Sequence, residues 1–260
     1  MAFQLTQAFG DGIRRVLTRT GGILFGTLLL IQFLVQASVN TAVSGLIPPE
    51  ASGQVGGLGL TLPVSGSVGT VLFFAGFVLT SAYFVALARA LTRPVEELSA
   101  FPAELYRRRL GRATLSMIVG GIVVGVAVTF GLVFFLLPGI FLATCFLCFI
   151  FAVGVEDRGT VGALRRSWDL SRGNRLKLSV IVVFAGIIGG VIGIVAPLFD
   201  LAGVPVVGEV VTTFVSTVLF VLLYGIMAAS YLQLRETRDT DEPGVEDPPE
   251  STAPGNSLGH

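Results

Sequence analysis

Charge is scarce in this chain. Only 13% of its 260 residues are Asp, Glu, Lys or Arg, against about 25% in an ordinary soluble domain. Such a deficit excludes a typical water-soluble globule. The 17 basic and 17 acidic residues cancel, so no basic surface points to nucleic acid. Histidine is nearly absent, His260 being the single one, which removes most imidazole acid–base and metal chemistry. No Ser/His pair, no H-E-x-x-H and no Walker lysine motif occurs. The expectation is therefore a non-enzymatic chain without metal or cofactor. The two cysteines, Cys145 and Cys148, form a C-x-x-C inside a run of Phe and Leu. Apolar surroundings predict inert, hydrophobe-like thiols there.

Apolar residues make up 53% of the chain, gathered into six runs at 21–43, 67–88, 113–137, 140–155, 178–199 and 206–232. A membrane span needs about 20 such residues. The fifth run holds 14 Leu, Ile, Val or Phe residues, together roughly −6 kcal/mol toward insertion. The fourth is the shortest: its 16 residues reach about 24 Å as a helix. Only Pro138-Gly139 separates it from the third run, which predicts a tight hairpin turn at that dipeptide. The fold class expected is all-α, a polytopic transmembrane bundle of six helices. Its domains are an amphipathic interfacial segment at 1–20, the six-span domain at 21–236 and a disordered acidic, Pro-rich tail at 237–260. Arg14-Arg15-Val16-Leu17 resembles a twin-arginine export signal, but the long Leu-, Ile- and Phe-rich run after it predicts a retained first span.

All 17 basic residues lie before the first run, after the second, after the fourth or after the sixth. The alternate loops carry only Glu50, Asp200 and Glu209. Lys and Arg are retained on the cytoplasmic side. The pattern predicts six spans in the cell membrane with both termini cytoplasmic.

Three basic segments carry apolar stripes at helical spacing: Leu5, Phe9, Ile13 and Val16; Leu98, Phe101 and Leu105; and Val161, Leu164 and Trp168. Such helices lie in the headgroup layer, and the third is expected to be capped by Thr160 and ended by Gly173. Trp168, Arg165 and Arg166 are the expected lipid contacts, with anionic headgroups as the partner. Each basic segment precedes a two-span hairpin. Arg112, Leu115, Ser116 and Ile118 parallel Arg175, Leu178, Ser179 and Ile181, as a threefold repeat predicts.

Two polar stripes mark the spans. Gln32, Gln36 and Asn40 share one face of the first, and Glu209, Thr213 and Ser216 nearly one face of the sixth. They are read as hydrogen-bond glue between helices, with an outward-facing pocket as the alternative. Small residues form the other pattern: Gly121 and Gly125 in the third span, Gly186, Gly189, Gly190 and Gly193 in the fifth. Close packing within the bundle is expected, with a homo-oligomer or membrane-partner face as the alternative. Gly56-Gly57-Leu58-Gly59 is read as a flexible linker.

One stretch carries a resemblance. It runs Leu137-Pro138-Gly139-Ile140-Phe141-Leu142, then Val153-Gly154-Val155-Glu156-Asp157-Arg158-Gly159, then Ala163-Leu164-Arg165-Arg166-Ser167-Trp168-Asp169-Leu170-Ser171-Arg172-Gly173-Asn174. It resembles the membrane domain attached to some glycerophosphoryl diester phosphodiesterases, and the stand-alone bacterial and archaeal relatives of that domain. The resemblance implies a six-helix bundle with a lipid-facing, accessory role. It implies no phosphodiesterase activity, which in that family belongs to a separate soluble barrel that this sequence lacks. The functional expectation is a lipid-associated accessory membrane protein, the alternative a permease or channel for a small solute or lipid.

Overall fold

The computed structural model describes residues 4–48, 59–94, 97 and 110–241. Nine helices and no strand occur among them: α1 (Leu5–Val16), α2 (Arg19–Ser44), α3 (Gly66–Leu91), α4 (Leu110–Phe134), α5 (Leu136–Cys145), α6 (Phe149–Gly154), α7 (Thr160–Ser171), α8 (Arg175–Leu201) and α9 (Pro205–Asp241). Six stretches are long and apolar enough to cross a membrane: α2, α3, α4, α5 with α6, α8 and α9. The protein is an all-α, multi-pass membrane bundle. The basic stripe around Leu98 and Phe101, the loop at Glu50, Gly56–58 and the tail beyond Asp241 lie outside the described residues.

α1 runs antiparallel along the end of α9. The Gln4 amide donates to Gln233 Oε1 at 3.2 Å. Further along, the two backbones nearly touch: a Cβ on Gly12 would lie 2.6 Å from the Ile226 nitrogen, and one on Gly225 2.6 Å from the Gly12 carbonyl oxygen. The chain then turns sharply into α2. The Thr18 hydroxyl caps that helix by accepting from the Gly21 amide at 3.2 Å, and any side chain at 21 would overlap the Val16 carbonyl.

The turn between the third and fourth spans falls earlier than the Pro-Gly pair. Phe135 alone separates α4 from α5, and Pro138 sits in the first turn of α5. Proline is tolerated there because its missing N–H has no helical acceptor. Gly139 instead serves the crossing, its α-carbon 2.8 Å from where a Gly131 Cβ would stand. The fourth span is also broken. α5 ends at Cys145, whose carbonyl accepts the Ser167 hydroxyl at 2.8 Å, while the Phe149 amide that would have bonded it turns to Phe146 at 3.0 Å. A hydrogen bond from α7 thus substitutes for a helical one. α9 continues to Asp241, five residues into the segment expected as tail. Thr237 bonds the Gln233 carbonyl at 2.9 Å and Arg238 the Asp169 carbonyl.

The buried core gathers toward the arginine-bearing end, around Tyr231, Phe151, Leu28, Leu87, Leu178 and Ile181. Toward the other end the helices stay apolar outside as well: Phe130, Val133, Phe134, Phe135 and Leu137 around the α4–α5 turn are exposed. Hydrocarbon is the solvent such surfaces require. The expected glycine packing is corrected here. No atom lies within 4 Å of a Cβ built on Gly121, Gly125, Gly186, Gly189, Gly190 or Gly193. Those positions border open space, Gly189 on the cleft between α8 and α9, and close approach is made instead by Gly12 with Gly225, Gly45 with Gly66, and Gly131 with Gly139.

Candidate functional site

At the end away from the arginines, the two polar stripes meet at one pair. Asn40 Nδ2 donates to both Glu209 carboxylate oxygens at 3.2 Å and to the Leu60 carbonyl at 3.0 Å. Glu209 Oε2 also accepts the Leu60 amide at 2.7 Å, and Thr41 Oγ1 the Leu62 amide at 2.8 Å. The loop at 59–62 is thereby bound down across α2 and α9. Gly59 is part of that seal, since a Cβ there would overlap Glu209; a close approach, and not flexibility, accounts for this glycine. The Gln32 and Gln36 side chains make no hydrogen bond to a described residue, and Gln36 is exposed. Ser216 turns back to the Thr213 carbonyl at 3.1 Å. Four of the six stripe residues therefore stand apart from the contact.

The arginine-bearing end holds a denser network. Glu156 and Asp157 follow α6, and Asp157 takes a left-handed backbone, φ 51°, which Asp adopts more readily than most residues. Glu156 accepts from the Tyr231 hydroxyl at 2.8 Å, Arg158 Nε at 2.6 Å and Arg166 Nε at 3.1 Å. Asp157 pairs with Arg89 at 2.7 Å, and Arg89 Nε also donates to the Gly154 carbonyl at 2.7 Å. Arg89 is only 8% exposed, so its charge depends on these oxygens. Burial by itself raises the Glu156 carboxyl. The hydrogen bonds from Tyr231, Arg166 and Arg158, with the Arg166 charge, outweigh it and hold the carboxyl below its ordinary value. Arg15 completes the end by bonding the Leu91 and Arg93 carbonyls.

α7 lies across this network. Gly159 is its N-cap residue, not Thr160, whose hydroxyl reaches the Ser116 carbonyl of α4 at 3.4 Å. Gly173, at φ 86°, follows its end as expected. The three expected lipid contacts are divided. Arg165 is exposed, Arg166 turns inward to Glu156, and Trp168 packs edge-on against Phe141 at 5.8 Å. The Arg175 guanidinium lies 4.6 Å from the Trp168 ring centre. Arg89, Tyr231 and Arg175 were not singled out from the sequence. Arg89 alone had a usable signal, a charge one residue beyond an apolar run and opposite an acidic pair.

Two clefts open between α8 and α9. One, about 230 Å³, is lined by Phe9, Ile13, Phe184 and Ile188 among others. The next, about 240 Å³, shares Ile188, Ile192 and Leu219 with it and reaches Val195 and Val211. Ser216 and Thr212 are the polar side chains lining them. Cys145 and Cys148 are buried and free. No group of three or more His, Cys, Asp or Glu suited to a metal ion occurs among the described residues.

Residues 3–234 match the model of a family described as a domain of unknown function, DUF7847. No curated protein and no solved structure matches the chain.

Proposed function

We infer the role from the side chains themselves, because the chain belongs to the DUF7847 family and takes no assigned activity from it. The reading supported best is a non-enzymatic, lipid-associated accessory protein of the cell membrane, its arginine-bearing end and both termini in the cytoplasm. One observation carries it. Asp157, Glu156 and Glu209 are met by polar partners at the two ends, while the two clefts between α8 and α9 are lined almost wholly by apolar side chains. Such an interior accepts acyl chains and offers an ion or polar solute no partner. Arg14, Arg19, Arg112, Arg165 and Arg172 remain exposed around the paired core, each worth about 1 kcal/mol of attraction to an anionic leaflet. α1 and α7 act as amphipathic interfacial helices in this reading. The likeness of the 137–174 stretch to the phosphodiesterase-linked membrane domain agrees with it.

Reconstitution tests the reading. Proteoliposomes are expected to leak small solutes and scramble lipid no faster than empty vesicles. The detergent-solubilised protein is expected to gain thermal stability from phosphatidylglycerol more than from phosphatidylcholine. Solute flux abolished by Asn40→Leu, together with indifference to lipid charge, would replace this reading with the permease.

A further inference from the structure

We propose that Arg175 binds the phosphate of an anionic phospholipid; this rests on the lipid-associated reading and gives it a site. The inward-turned arginines otherwise have oxygen partners: Arg89 has Asp157, Arg166 has Glu156, and Arg15 has two carbonyls. Arg175 has aromatic faces instead, Trp168 at 4.6 Å and Phe141 at 5.0 Å. Its Nε and Nη2 are buried without a hydrogen-bond acceptor.

Those two nitrogens form the side-on edge of the guanidinium, the fork that matches a pair of phosphate oxygens. The two nearly perpendicular rings hold the group by cation–π attraction and leave this edge unanswered. A buried charged donor without an acceptor is costly, so an arriving anion has a large deficit to relieve. The adjacent acid on α7, Asp169, lies with Arg172 at 4.0 Å. Phe141, one of the two rings against the guanidinium, is 41% exposed, so the group lies close beneath the surface.

Position selects a lipid over a free anion. Arg175 opens α8 beside Trp168, at the basic end, where headgroups and interfacial Trp side chains meet. Gly186 and Gly193 follow by three and five helical turns and so lie below it on the same face. Neither has an atom within 4 Å of its Cβ position. A phosphate on Arg175 thus has unobstructed helix surface beneath it for its acyl chain.

The test uses the full chain purified from nanodiscs of phosphatidylglycerol and phosphatidylcholine, with bound lipid counted by native mass spectrometry. Wild type is expected to retain phosphatidylglycerol, and Arg175→Gln to weaken that retention about tenfold. Arg175→Lys keeps the charge but not the fork and is expected to fall between them; it stands in if the glutamine variant does not fold. Gln36→Leu, an exposed side chain at the opposite end, is expected to match wild type. Retention unchanged in the folded Arg175 variants overturns the site while the wider reading stands. No preference for phosphatidylglycerol in wild type sinks both. Displacement of the lipid by inorganic phosphate overturns the assignment to a phospholipid.

Discussion

Glu156 is the residue on which the arginine-bearing end turns. Three donors from three segments converge on its carboxylate: Arg158 beside it, Arg166 on α7 and Tyr231 on α9. Glu156→Gln keeps the shape but replaces a charged acceptor, and is expected to cost about 1–3 kcal/mol, read as a lower thermal midpoint in detergent at neutral pH. The sign with pH follows from the lowered carboxyl. Its stabilisation is complete above the ordinary value near 4.5 and is lost as pH falls through the lower folded value. Wild type is therefore expected to lose stability more steeply than Glu156→Gln on acidification through that range; parallel curves would remove Glu156 as the cause. At the opposite end, Asn40→Leu strips Glu209 of its side-chain donor and is expected to cost about 1 kcal/mol. Gln36→Leu, on an exposed side chain, is expected to cost nothing. A shared helical face is plain in the sequence. Which of its members touches another helix depends on a crossing that no spacing encodes, and so Gln36 and Asn40 look alike until the helices are placed.

Among the helices, glycine divides into two populations that the sequence presents alike. Gly12 and Gly225 let α1 lie against the α9 backbone. Gly12→Leu therefore forces the helices apart, and is expected to destabilise by about 2 kcal/mol and to expose the first 20 residues to protease. Gly189→Ala meets no atom and is expected to leave the bundle unchanged or to gain up to about 1 kcal/mol of helix propensity. Equal losses from the two would contradict the open space at Gly189. The Gly-x-x-x-Gly spacing was legible; its direction was not, because both faces of α8 are apolar and hydrophobic periodicity carries little information in lipid. The break at Cys145 was hidden for a related reason. Nothing in the run from Phe141 to Phe149 interrupts a helix, and the cause is the hydroxyl of Ser167 on another element. By contrast, five of the six spans were placed within a few residues, since length and hydropathy alone define them.

For the whole molecule, one asymmetry organises the rest. Charges that pair across elements, such as Arg89 with Asp157 and Arg166 with Glu156, occupy the end where α3 finishes and α7 lies. Asn40, Leu60 and Glu209 close the other end without a basic side chain. Retention of Arg and Lys during insertion acts on the same partition, so the end that packs its arginines is also the end expected to stay inside the cell. Cysteine labelling checks this with little interference, because Cys145 and Cys148 are buried. Glu50→Cys is expected to react with a membrane-impermeant maleimide on intact cells. Glu250→Cys is expected to react only after permeabilisation. The reverse pattern would invert the bundle and put the arginine-bearing end against the outer leaflet. Labelling of both sites on intact cells would mean an odd number of crossings, and then the fourth span, broken between α5 and α6, is the stretch that fails to cross.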